Sequence, residues 1–219
     1  MDKGLIKFSW DNAEELSESE ITYFLSLEGK SISAICKIRG LNKEEVQKQL
    51  IEGKIKYRFL AKSKDEKDLF DMLCNAGKTD KLSVLNTLSE ENKNKLLLYV
   101  KNNFSEMSSK NKEYALWIIG ELKARDAMDI LVKSIVHKHV NLRRLAVSAL
   151  GKIEDKASET ALIRALEDEN PQVVLYAIKA LKKIKSSKAA AKIKLIMLTD
   201  SKEYLIRAAK EFLEEMGEI

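Results

Sequence analysis

An internal period of 31 residues constrains the fold of this chain more than any single motif in it. Ala115, Ala146, Ala177 and Ala208 stand 31 apart, and the columns around them repeat as well. Asn111/Leu142/Val173/Tyr204 and Ile118/Ala149/Ala180/Glu211 are two such columns. Ile119/Leu150/Leu181/Phe212 and Leu122/Ile153/Ile184/Glu215 are two more. A period of this size marks stacked supersecondary units, none of which buries its apolar face alone.

Each unit reads as two helices. In the clearest, Leu142, Leu145, Ala146, Ala149, Leu150 and Ile153 recur at helical spacing. A charged turn at Glu154–Lys156 leads to a second helix with Leu162, Ala165 and Leu166 on one face. The next unit opens on Asn170-Pro171, a cap residue followed by proline at the first helical position. The second helix repeats as Leu131/Leu162/Ile193. These signals predict units at 110–138, 139–169 and 170–200, a capping helix at 201–216 and a degenerate unit at about 79–109. Helices are also predicted over 64–76, 80–88 and 91–104. Glu211 and Glu215, standing where earlier units are apolar, suit a last helix that faces water.

The stretches Asp168–Ile184 and His139–Ile153 resemble the HEAT-like repeat family. The resemblance rests on Asp168, the Leu142-Arg143 pair, Ala146 and Ala149-Leu150-Gly151. It implies an α-solenoid whose Ala-Leu-Gly helices line a concave face, and it implies no activity. Val174 and Leu205 stand where the pattern has arginine, so an Asp–Arg ladder along the stack would be incomplete. Some HEAT-like solenoids are DNA-alkylation glycosylases. Trp117 and Arg144 suit such a cleft, but no Asp falls in the outward columns. Others act in bilin attachment, for which no residue here speaks.

On that reading the first helices of the units expose a groove for a helix or peptide. Its residues would be Glu113, Leu116 and Trp117, then Arg144, Val147 and Ser148, then Leu175, Ile178 and Lys179. The alternative is that helix packing buries the aliphatic members.

Residues 31–51 are organised differently. Ile32, Ile35, Cys36 and Ile38 make one helix, Gly40 ends it, and Asn42 with Glu45 forms a capping box for the next, on which Val46 and Leu50 face inward. A second capping box, Ser17 with Glu20, opens a helix ahead of these. With a small residue at Cys36, glycine at Gly40 and a branched residue at Val46, the segment resembles the helix-turn-helix of bacterial regulators and sigma-type domains. Two runs alternate with period two, Leu5–Trp10 and Lys54–Phe59, and predict paired strands that would make the domain a winged one. The resemblance implies a DNA contact through Lys43, Glu44, Gln47 and Lys48 on the second helix and Lys54, Lys56 and Arg58 on the wing. A plain packing hairpin under a small ribbon is the other reading.

Charge is unevenly spread. Residues 1–30 carry three lysines against seven acids, and residues 31–62 carry eight Lys/Arg against three. Between Glu169 and Asp200 stand seven lysines and no acid. Such runs fit either an anionic partner or a solvated surface. His137-x-His139, the only histidines, should point apart at a helix end and hold no metal. No nucleotide loop, nucleophile elbow or cofactor motif is present, so no catalytic residue, cofactor or small-molecule substrate is expected. No apolar run approaches the ~20 residues of a membrane span. With no secretory leader pattern and two distant cysteines, Cys36 and Cys74, the cytoplasm is the expected compartment.

The sequence thus predicts an all-α chain: residues 1–63 as a helix-turn-helix domain and 64–219 as a HEAT-like α-solenoid. The function it points to is a non-enzymatic, DNA-associated adaptor with a protein partner on the solenoid. The alternative is a pure protein-interaction scaffold whose helix-turn-helix is architectural.

Overall fold

The computed structural model describes residues 4–6 and 8–218. Its helices are α1 (Glu18–Leu27), α2 (Ile32–Arg39), α3 (Lys43–Lys62), α4 (Glu66–Asn75), α5 (Lys78–Thr87), α6 (Glu90–Asn103), α7 (Ser109–Glu121) and α8 (Met128–Ser134). They continue as α9 (Val140–Ile153), α10 (Glu159–Ala165), α11 (Pro171–Lys183), α12 (Ala190–Thr199) and α13 (Glu203–Met216). The chain forms two compact units that divide between Leu96 and Leu97, inside α6.

In the first unit both predicted capping boxes form, at Ser17/Glu20 and Asn42/Glu45. Gly40 ends α2 in the left-handed conformation, φ +65°, where a side chain is disfavoured, and the Leu41 N–H closes onto the Cys36 carbonyl. Ile35, Val46 and Leu50 form a small core beneath this turn. Above it α1 packs on α3. Phe8 stacks on Phe24 with ring centres 4.3 Å apart, and Tyr23 stacks on Tyr57 at 5.7 Å.

The predicted wing does not form. Residues 54–59 continue α3, and Trp10–Glu15 is a short 3-10 helix. Lys7, in the first expected strand, lies outside the described residues. The physical reason is packing. Val46, Leu50, Gly53, Tyr57 and Leu60 recur at helical spacing, and as a helix this one face meets α1 and the layers below it. Gly53 sits where a Cβ would lie 2.4 Å from that of Tyr23, so the glycine marks a close helix crossing instead of a break.

The second unit is the repeat array. The long helices α7, α9, α11 and α13 stack in sequence, and α8, α10 and α12 pack against the long helix that follows each. Ala115, Ala146 and Ala177 are fully buried at the seams. Leu131, Leu162 and Ile193 fill the same position in the shorter helices, with no exposure. The first two seams are drawn tight by glycine against alanine. A Cβ on Gly120 would meet that of Ala149 at 2.8 Å, and one on Gly151 that of Ala180 at 2.9 Å. At the third seam the equivalent residues are Lys182 and Glu211. There Lys182 Nζ reaches Glu215 at 3.1 Å and Glu211 at 3.9 Å.

A second regularity lies in the backbone. Lys123, Glu154 and Lys185, again 31 apart, follow the long helices with φ of 49°, 57° and 51°. No glycine stands there, so each turn carries the strain of a left-handed side-chain residue.

Two stability predictions follow from these seams and turns. Gly120→Ala should lower stability by about 1–2 kcal/mol, because overpacking at the seam exceeds the gain in helix propensity. Lys185→Gly should raise it by about 0.5–1 kcal/mol, since that side chain is exposed and makes no ion pair among the described residues. Urea denaturation of the two variants measures both signs.

Candidate functional site

The outward face of the stacked long helices is set by the same period. Glu113 and Trp117 on α7, Arg144 and Ser148 on α9, and Leu175 on α11 are half-buried, and Lys179 is exposed. The structure brings these six onto adjoining helices in two parallel columns. Leu116, Val147 and Ile178 do not join them. Each is fully buried, because these positions turn toward the neighbouring layer, and they belong to the core. Tyr176, which sequence reasoning passed over, takes a place on the face instead. The Arg144 guanidinium lies 5.8 Å from its ring centre, a cation–π contact across the seam between α9 and α11.

One edge of the array holds its polar rung. Arg143 donates from Nε to Asp168 at 2.6 Å and from Nη2 at 3.0 Å, and also to Glu169 at 3.1 Å. Its Nη1 donates to the His137 and Lys138 carbonyls. Both side chains of the Arg143–Asp168 pair are more than nine-tenths buried, so loss of either partner strands a buried charge. This is the sole rung of its kind among the described residues. Lys112, Val174 and Leu205 occupy the arginine column elsewhere.

Opposite Lys112 the aspartate column holds His137. Its Nδ1 accepts the His139 N–H at 3.1 Å, as Asp168 accepts that of Asn170 at 2.8 Å. The two imidazoles, expected to point apart, lie 5.2 Å apart, because residues 137–139 form a side-chain-closed turn ahead of α9. Among the described residues no cluster of His, Cys, Asp or Glu is built to hold a metal ion.

The lysine-rich stretch is divided up in the same repeating way. Lys183 pairs with Glu154 and Lys188 with Glu159, each at 2.8 Å, and Lys192 pairs with Glu167. Lys152 bonds Glu121, one unit back, at 2.5 Å. Four of the seven lysines between Glu169 and Asp200 thus have acids within reach, counting Lys182. The acids come from neighbouring units, out of sight in a local reading.

In the first unit Lys43, Glu44, Gln47, Lys48, Lys54 and Arg58 are exposed along one side of α3. Arg58 pairs with Asp80 at 2.6 Å. Lys56 lies off that side and binds Glu20 at 2.9 Å, alongside the Tyr57 hydroxyl. Burial would raise the Glu20 carboxyl, but hydrogen bonds from Ser17, Tyr57 and Lys56 outweigh it and hold it at about 2. Lys56 is therefore committed to the α1–α3 packing.

A model of the HEAT repeats family matches residues 137–214, which run from the turn before α9 into α13. That part of the chain is similar to HEAT repeats, in agreement with the observed stack. No curated protein matches the chain. Among the described residues no helix is long and apolar enough to cross a membrane.

The His137 turn gives a pH prediction. Burial, then the charges of His139, Lys112, Lys138 and Arg143, push the imidazole below its usual 6.5. Below that value the unfolded chain takes up a proton that the folded chain refuses, so stability falls as pH drops. His137→Asn keeps an acceptor and removes the titration. Melting temperatures between pH ~7 and ~5 should fall more steeply for the wild type than for this variant.

Proposed function

We infer that the chain is a non-enzymatic protein-interaction scaffold, with the outward face of α7, α9 and α11 as its docking surface. The observation that carries this reading is the combination of residues in register on three stacked helices. Trp117, Arg144 over Tyr176, and Leu175 are all partly exposed and are framed by Glu113 and Lys179. Half-buried aromatics and arginine held rigid by the layer beneath are the residue types that concentrate binding energy at interfaces. The similarity of residues 137–214 to HEAT repeats supports it, since such repeats usually mediate protein contacts. The DNA-adaptor reading has less support. It loses its wing, and Lys56 and Arg58 are paired with acids.

A photo-crosslinking residue placed at Ser148, in the cells that make the protein, should give an adduct of discrete mass. The same residue at Lys138, exposed in the turn ahead of α9 and outside the two columns, should give none. Trp117→Ala and Arg144→Glu should each remove the Ser148 adduct, as losing a contact worth about 2 kcal/mol or more would. Equal labelling from both positions would remove the assignment of the face.

A further inference from the structure

The first unit carries a second surface that neither the core nor the solenoid face uses. α3 runs for 20 residues, and its inner side is accounted for by Val46, Leu50, Gly53, Phe59 and Leu60. The opposite side shows, at helical spacing, Lys43, Gln47, Lys48, Ile51, Lys54, Ile55, Arg58 and Lys62, all exposed. Ile51 is 58% exposed and Ile55 63%, one turn apart near the middle of the helix. Beside Ile55, α3 and α5 enclose a cleft of about 80 Å³ lined by Ile55, Phe59, Ser83 and Val84, with the Arg58–Asp80 pair at its edge. Lys43, Lys48, Lys54 and Lys62 make no ion pair among the described residues, and Glu44 is the one acid within the face.

We propose that this face docks an acidic amphipathic helix of a partner protein. The partner's aliphatic stripe lies on Ile51 and Ile55 with one side chain entering the cleft, and its carboxylates meet Lys43, Lys48, Lys54 and Lys62. Charge complementarity selects an acidic occupant, because cations outnumber acids on the face and four of them make no ion pair among the described residues. The two isoleucines select a protein helix over a nucleic acid. Aliphatic side chains in the centre of the face meet neither phosphate nor most base edges, whereas i, i+4 anchors fit a facing helix. The lysine stems lengthen the apolar strip while their heads stay at its rim.

The test uses the full-length chain and two fluorescent peptides of ~18 residues. Each contains only Leu, Ala and Glu, the leucines on one helical face in the first and scattered in the second. Anisotropy should show the amphipathic peptide binding at least about tenfold tighter than its scattered counterpart. Ile51→Ser with Ile55→Ser should cost at least about tenfold in affinity while leaving the helical spectrum and melting temperature unchanged. Lys48→Glu with Lys54→Glu should weaken binding and flatten its dependence on salt between ~50 and ~300 mM. Three results would overturn the proposal: equal binding of both peptides, displacement of the amphipathic peptide by duplex DNA of equal charge, or sedimentation showing a dimer that Ile51→Ser with Ile55→Ser dissolves. All three leave the solenoid assignment untouched, because Ser148 labelling reads a different unit.

Discussion

The array depends on how closely one long helix lies on the next. At two seams that distance is set by a missing side chain, Gly120 against Ala149 and Gly151 against Ala180. Backbones that approach this closely bring the flanking layers into contact as well. Leu116, Ile119, Leu131, Val147, Leu150 and Leu162 are fully buried as a result. Close packing of this kind transmits a change of one methyl group to everything around it. The 31-residue register is then a mechanical requirement, because a shift of one residue would put a long side chain (Ile119 or Glu121, Leu150 or Lys152) where only hydrogen fits.

The parts of the fold that were legible in the sequence are those written in local chemistry. Ser17/Glu20, Asn42/Glu45, Gly40 and Asn170-Pro171 each specify a helix end through a few atoms, and each does so in the structure. The wing was misread because a six-residue alternation also fits a helix. What decides between them is the Tyr23–Tyr57 stack, a contact between residues 34 apart in sequence. The outward columns were half legible. Periodicity finds which residues share a column, but the burial of Leu116, Val147 and Ile178 depends on which side of the helix meets the next layer. The left-handed turns at Lys123, Glu154 and Lys185 had no signal at all, since neither lysine nor glutamate advertises a positive φ.

Charge shows the same division between local and distant. Read along the chain, residues 170–199 are a basic block. In the fold, acids supplied by adjacent units stand beside Lys182, Lys183, Lys188 and Lys192. Each exposed pair contributes little to stability. Together they lower the net field, leaving Lys179, Lys185 and Lys194 as cations in that block with no ion pair among the described residues. α3 is the contrary case, since most cations on its outward side have no such neighbours.

The third seam differs in kind from the other two. Where Gly120 and Gly151 let backbones touch, Lys182 meets Glu211 and Glu215 at the surface, across water that carries mobile ions. A joint held partly by screened charge yields more readily than one held by interlocked methyl groups. Amide protons of α13 should thus exchange with solvent ahead of those in α9, and faster as ionic strength rises. The solenoid has a direction in which it comes apart, beginning at its acidic end.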